Sequence, residues 1–359
     1  MPNKIALLEE AEKRVLRDVK TPLKSHMVKI PRKFLETKDI DSLKNKNGKT
    51  WDISTISFTN LEKEKPICVL VHGWGAGKGI YVQSFDDLAS VYQVHAIDLL
   101  GWGRSSRPCY KYGDDPSKAQ RWWVESLEAW RVAMGIEKFT LVGHSMGGFV
   151  AASYALKYKQ HLDKLVLVSP IGLQGFQTPD FSISFTQSIL ISSVWSLTPQ
   201  RIVSMLPRKR TISYLSRQRV DLLEAFPYTD RTIMHYFYFL AVQSPISGEA
   251  AFKRLGTPFK GWHLPLKDEL HKLGDLPVVL MYGEDDWMDP SFAVYELKEK
   301  ILPNAKVYIL PDSGHHLYAE RWMEFNEIVI NGEKAFPSCW IREFNPAIDP
   351  LKKRVFSVA

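Results

Sequence analysis

The chain has 359 residues, 45% hydrophobic and 24% charged, an ordinary globular composition with ample apolar material for a sizeable core. Lys and Arg number 47 against 40 Asp and Glu, and this mild net charge of +7 suits an anionic surface or a phosphate-bearing substrate. No nucleic-acid motif accompanies it, and three scattered cysteines (Cys68, Cys109, Cys339) make neither a disulfide framework nor a metal-ligand set, which fits a reducing compartment.

The opening Met1–Lys20, MPNKIALLEEAEKRVLRDVK, is too charged for a secretory leader. It predicts an amphipathic helix with Leu7, Leu8, Ala11 and Val15 on one side, a face that would suit a lipid surface. Strand-like runs follow at Asp52–Thr59, Ile67–His72 and Val91–Asp98, then a helix near Gln120–Met134, the strand Phe139–Val142, a helix through Phe149–Leu156, and the strand Lys164–Ser169. Strands alternating with helices predict a mostly parallel sheet covered on both faces. From Ile171 to Lys272 the alternation stops and the chain reads as helical and irregular. Its longest uncharged stretch, Phe181–Gln200, carries too many serines and threonines for a convincing membrane span. The alternation resumes with Pro277–Gly283, a helix near Phe292–Ile301, the strand Ala305–Leu310 and a last helix near Ala319–Ile330. The simplest account is an α/β core in two parts, 46–172 and 273–331, interrupted by a helical cap at 173–272. Before it lie the N-terminal helix and linker, 1–45, and after it a tail, 332–359, without a readable pattern.

Chemistry concentrates at LVGHSMGGFV, residues 141–150, where Ser145 stands between Gly143 and Gly147 at the junction of a strand and a helix. That spacing fits a nucleophile elbow, in which a crowded turn exposes one side chain at the top of an α/β-hydrolase sheet. A serine hydroxyl needs a histidine to take its proton and an acid to orient that histidine. In this fold the partners follow in the order serine, acid, histidine. Strand 277–283 runs into Gly283-Glu284-Asp285-Asp286-Trp287-Met288-Asp289, where the spacing favours Asp286 with Asp289 second. Strand 305–310 runs into Pro311-Asp312-Ser313-Gly314-His315-His316, and the flexible glycine before it favours His315 over His316. An oxyanion hole needs backbone N–H groups, expected from Met146 and from Trp74 in the turn Val71-His72-Gly73-Trp74-Gly75-Ala76-Gly77. His72 and His144 read as structural, and neither a metal site nor a cofactor motif is present in the pattern. In the cap, the aromatic block Met234–Leu240 and the cations Arg208-Lys209-Arg210 would suit a ligand with an acyl chain and an anionic head. Equally, they would serve to pack the cap on the core and to solvate its surface.

Three stretches together, Asp98-Leu99-Leu100-Gly101-Trp102-Gly103-Arg104-Ser105-Ser106-Arg107-Pro108, the elbow, and Val242-Gln243-Ser244-Pro245-Ile246-Ser247-Gly248-Glu249-Ala250-Ala251-Phe252-Lys253, resemble the abhydrolase-domain 4/5 subfamily. The similarity runs from about Glu9 to Asn326. That resemblance implies a lipid acyl hydrolase of the lysophospholipase or N-acyl-phospholipid lipase type, or a transfer of acyl groups to lysophosphatidic acid from an acyl-CoA donor. Its alternative is a lipid-droplet coactivator of a triglyceride lipase, with that lipase as partner and little catalysis of its own. The coactivator branch carries asparagine at the position of Ser145, so the serine here favours an enzyme. The subfamily's acyltransfer motif, His-x4-Asp, corresponds to His315-His316-Leu317-Tyr318-Ala319-Glu320, with glutamate replacing aspartate. The coactivators' tryptophan-rich N-terminus has no counterpart, the first tryptophan being Trp51. The implied location is cytoplasmic and peripheral, on a lipid droplet, the endoplasmic reticulum or a mitochondrial membrane.

Overall fold

In the strand Ile67–Val71, Val69 and Val71 enter one hydrophobic core while Cys68 and Leu70 enter another. Both faces are buried, which is why the segment reads as a continuous apolar run and not an alternating one. The structure, a computed structural model, describes residues 3–34, 49–58, 65–111, 113–173, 198–228, 230–257 and 261–332. In chain order the strands are β1 (Lys24–Pro31), β2 (Thr50–Phe58), β3 (Ile67–Val71), β4 (Gln93–Ile97), β5 (Phe139–His144), β6 (Leu162–Val168), the short β7 (Gly256–Thr257) and β8 (Gly261–Trp262), β9 (Val278–Gly283) and β10 (Lys306–Leu310). Eight of them form one sheet in the order β1-β2-β4-β3-β5-β6-β9-β10. The pairs β1–β2 and β2–β4 are antiparallel and the rest parallel. This is the mostly parallel sheet expected from the alternation of elements.

Helices α1 (Lys4–Val15), α2 (Phe85–Val91), α3 (Pro116–Met134) and α4 (Met146–Tyr158) precede the cap. The cap contributes α5 (Pro199–Met205), α6 (Arg208–Gln218), α7 (Val220–Ala225), α8 (Thr232–Ala241), α9 (Ser247–Leu255) and the β7–β8 pair. A π-helical segment, Phe292–Ile301, then leads to β10, α10 (Leu317–Glu320) and α11 (Trp322–Asn331). The single last helix expected from the sequence is thus two, broken at Arg321, which caps both. Residues 181–197 of the uncharged cap stretch and 333–359 of the tail, Cys339 among them, lie outside the described residues. Among those described, no helix is long and apolar enough to cross a membrane.

Strand β1 lies in the stretch read as linker. Only Val28 and Ile30 of KSHMVKIP are buried, so an edge strand carrying lysines gives little periodic signal. The stretch read as a strand from Val91 begins instead at Gln93, because Val91 closes α2.

Helix α1 starts where Asn3 accepts the N–H of Ile5, and it buries Leu8, Ala11 and Val15 while packing on α8. The apolar side predicted there is therefore spent within the protein, which corrects its assignment to a lipid surface. A pattern of apolar residues shows that a face is buried, without showing against what. The aromatic block behaves alike: Met234, Tyr236, Phe239 and Leu240 are buried, and the Tyr236 hydroxyl accepts the Gly79 N–H at 3.1 Å.

Under α1 sits a buried ionic cluster. Lys78 Nζ donates to Glu12 Oε2 at 2.6 Å, Ser54 Oγ at 2.8 Å and Asp98 Oδ2 at 2.9 Å. Arg104 Nη1 reaches the other Glu12 oxygen at 2.9 Å. Lys78→Met leaves the Asp98 carboxylate buried without its ammonium partner, so unfolding stability should fall by about 3–5 kcal/mol. Urea denaturation checks this, and a loss below about 1 kcal/mol would show that the cluster does not hold α1 to the core.

Candidate active site

Parallel strands deliver their carboxyl ends, and the loops that follow, to one edge of the sheet. At that edge lie the turn after β3, Ser145 after β5, Ser169 after β6, Asp286 after β9 and His315 after β10.

Ser145 has φ 54 and ψ −113, a conformation that a non-glycine residue adopts only under strain. Its N–H donates to Val168 O at 2.9 Å, and its carbonyl accepts from Phe149 and Ile171. Two glycines make the turn possible by absence of side chain. A Cβ on Gly143 would lie 2.3 Å from Gly147 O, and one on Gly147 would lie 2.5 Å from Val71 O and His72 O. The β3 turn meets the elbow closely, since a Cβ built on Gly73 would come within 3.1 Å of Ser145 Cβ. Trp74 follows Gly73, and Met146 opens α4, so its N–H lacks an intrahelical acceptor. Met146 thus adjoins the serine in sequence, and Trp74 follows a glycine whose position meets it in space.

His315 Nδ1 lies 2.9 Å from Asp286 Oδ1, with the Asp286 side chain fully buried. The same Asp286 oxygen accepts the Met288 N–H at 2.9 Å, and Oδ2 accepts the Ser169 hydroxyl. Asp289, the second candidate, is exposed and accepts from Ser291 N and Oγ at 2.8 and 2.5 Å, closing a local turn. His316 turns away toward the Tyr318 hydroxyl at 2.7 Å, and burial holds its imidazole well below the usual range.

The other two histidines serve the backbone. His144 Nε2 is 2.9 Å from His315 O; a carbonyl only accepts, so Nε2 carries the proton. Burial, then the neighbouring His315, pushes His144 well below the usual imidazole range, so it stays neutral. His72 Nε2 accepts the Leu99 N–H at 3.1 Å and Nδ1 donates to Gly73 O at 2.7 Å, tying the β3 and β4 turns together.

Sequence reasoning missed two side chains here and the contacts of a third. Ser169 holds the Asp286 carboxylate, and nothing local to a serine at a strand end signals it. Trp287 lays its ring 4.8 Å from that of His315. Glu320 accepts the N–H groups of Gly314 and His316, holding the loop that carries His315, whose own carbonyl is bound by His144. The glutamate at the acyltransfer-motif position was legible, but its two backbone contacts were not.

Residues 66–321 match the family model described as alpha/beta hydrolase fold. The chain is 33% identical over 337 residues to the human protein named 1-acylglycerol-3-phosphate O-acyltransferase ABHD5, covering 90% of this chain and 89% of that one. It is also 33% identical over 294 residues to the mouse (lyso)-N-acylphosphatidylethanolamine lipase, covering 80% and 84%. Among solved structures, carboxylesterase CesB (YbfK) from Bacillus subtilis superposes with a TM-score of 0.63 over 93% of this chain and 99% of its own, at 15% identity. At that identity the likeness speaks to the fold alone.

Proposed function

Because the chain belongs to the alpha/beta hydrolase family, in the subfamily of abhydrolase-domain 4 and 5 proteins, we propose that it is a serine-dependent lipid acyl hydrolase. The observation that carries this reading is the buried Asp286–His315 hydrogen bond at the same sheet edge as the strained Ser145. In the proposed mechanism Asp286 accepts from the protonated Nδ1 of His315, which leaves Nε2 bare as the general base. His315 takes the hydroxyl proton as Ser145 Oγ attacks the acyl carbonyl. The N–H groups of Trp74 and Met146 receive the oxyanion. Collapse of the tetrahedral species breaks the ester C–O bond, and the leaving alcohol takes its proton from His315. Water, or a lysophospholipid hydroxyl, then attacks the acyl-serine by the reverse proton path.

The relatives' names divide on the acceptor, one being an acyltransferase and the other a lipase. Transfer here would use an acyl-CoA or phospholipid donor. A fluorophosphonate probe tests the core of the proposal: it should label the wild-type protein once, at Ser145, by peptide mapping. An unlabelled protein would sink the hydrolase reading and favour the coactivator one.

Lipid substrates call for reversible work at a surface. Met205 at the end of α5, Leu206 just after it and Tyr214 on α6 are exposed, as are Arg208, Lys209 and Arg210 at the start of α6. Each cation near an anionic leaflet contributes about 1 kcal/mol, weakened by salt. The protein should float with anionic vesicles at low salt and release at high salt. Absence from the vesicle fraction at low salt would return this corner of the cap to ordinary solvated surface.

A further inference from the structure

Trp287 is 60% exposed, yet its ring centre lies 4.8 Å from that of His315, with the two planes tilted by 42°. At that distance the rings cannot meet edge to edge. An indole that served only to pack a core would be buried, so an exposed one resting on the general base of the proposed reaction calls for another reason. The loop itself does not need the side chain. The Glu284 N–H donates to Leu310 O and the Asp285 N–H to Ser313 O, both at 2.8 Å, and the Asp286 N–H donates to Gly283 O at 3.2 Å. Asp286 Oδ1 then takes the Met288 N–H at 2.9 Å. Hydrogen bonds of the main chain thus set Asp286 in place on both sides of Trp287.

The surroundings of His315 show what the indole meets. When Ser145 gives up its proton in the proposed mechanism, His315 becomes an imidazolium on a side chain only 11% exposed. Water therefore supplies little of its solvation, and the protein must supply the rest. Asp286 answers the charge at Nδ1. The rings of His144 and His316 lie 4.7 and 5.4 Å from that of His315, and burial keeps both neutral, so neither repels the new charge. Other charges act at one remove: Glu320 binds the N–H groups of Gly314 and His316, and Arg219 of the cap bears on His316. The face of an indole attracts a cation within about 6 Å of its centre, more strongly than phenylalanine or tyrosine does. Trp287 meets that distance.

We propose that Trp287 is a positioning residue for the general base, its indole holding the His315 ring in place and stabilising the imidazolium that forms as the serine attacks. The proton still passes from Ser145 Oγ to His315 Nε2 and on to the leaving alcohol, and Trp287 exchanges nothing. The role in turnover rests on the acyl-hydrolase reading, whereas the stabilisation of a protonated His315 does not.

The test puts leucine at position 287 and, site-specifically, mono-, di- and tetrafluorinated tryptophan, which keep the shape of the indole while draining its face of negative charge. With nitrophenyl butyrate as substrate, Trp287→Leu should lower kcat about three- to tenfold and change KM by less than about twofold. Across the fluorinated series kcat should fall stepwise, an effect that packing alone would not produce. Proton NMR of the His315 imidazole reads the same interaction without turnover. At the pH where the wild-type ring is half protonated, the tetrafluorinated protein should hold the proton on about a quarter of its His315 or less. In a protein that turns the ester over, a fluorinated series flat in either readout overturns the proposal. A rise in KM alone would make the indole a wall for the substrate, and overturns it too. If the wild-type protein turns nothing over, the hydrolase reading falls and the protonation series decides: a stepwise loss upholds the hold of Trp287 on the imidazolium, and a flat series removes it.

Discussion

Ser145→Ala should lower acyl-ester turnover by about 10⁴-fold or more while leaving the fold intact. Removing the nucleophile leaves only oxyanion and binding contributions, and those cannot replace a covalent step. The fold should survive because the side chain itself makes little of the elbow: the Ser145 N–H and carbonyl hold the turn through Val168, Phe149 and Ile171. A non-glycine residue remains strained at φ 54, so alanine neither adds nor relieves much. Steady-state kinetics on a nitrophenyl ester, with a melting curve beside it, check both halves. Retention of more than a tenth of the activity in a folded variant would remove the elbow from the chemistry.

Asp286→Asn should follow at about 10³–10⁴-fold, mainly in kcat. An asparagine can present its amide N–H toward His315 Nδ1, which favours the tautomer whose Nε2 carries the proton and cannot act as base. The Ser169 hydroxyl and the Met288 N–H both donate to the carboxylate, so the buried site is built for an acceptor. Asp289→Asn should cost no more than about threefold, since that side chain closes an exposed turn onto Ser291. Comparable losses in the two variants would mean that the Asp286–His315 bond does not orient the base.

The elbow is legible in the amino-acid order because two glycines mark it: Gly143 for a local approach of 2.3 Å to Gly147 O, and Gly147 for a long-range approach of 2.5 Å to the end of β3, and neither tolerates a Cβ. Buried parallel strands such as β3, β5 and β9 are apolar nearly throughout, so each stands out as a run. The edge strand β1 does not, because half its residues face solvent.

Amino-acid order alone determined the strand–helix alternation, its interruption after β6, and the order of serine, aspartate and histidine at the ends of parallel strands. These depend on local sterics and on hydrophobic period, which a linear string records. Tertiary structure alone decided what each apolar or polar face meets. It turned the apolar side of α1 onto α8, set Ser169 on Asp286, and tied the His315 loop to His144 and Glu320. It also brought the Gln200 N–H onto Glu249, 49 positions away. Hydrogen bonds across such separations leave no period in the sequence, since either partner could meet any group of matching polarity until the chain folds.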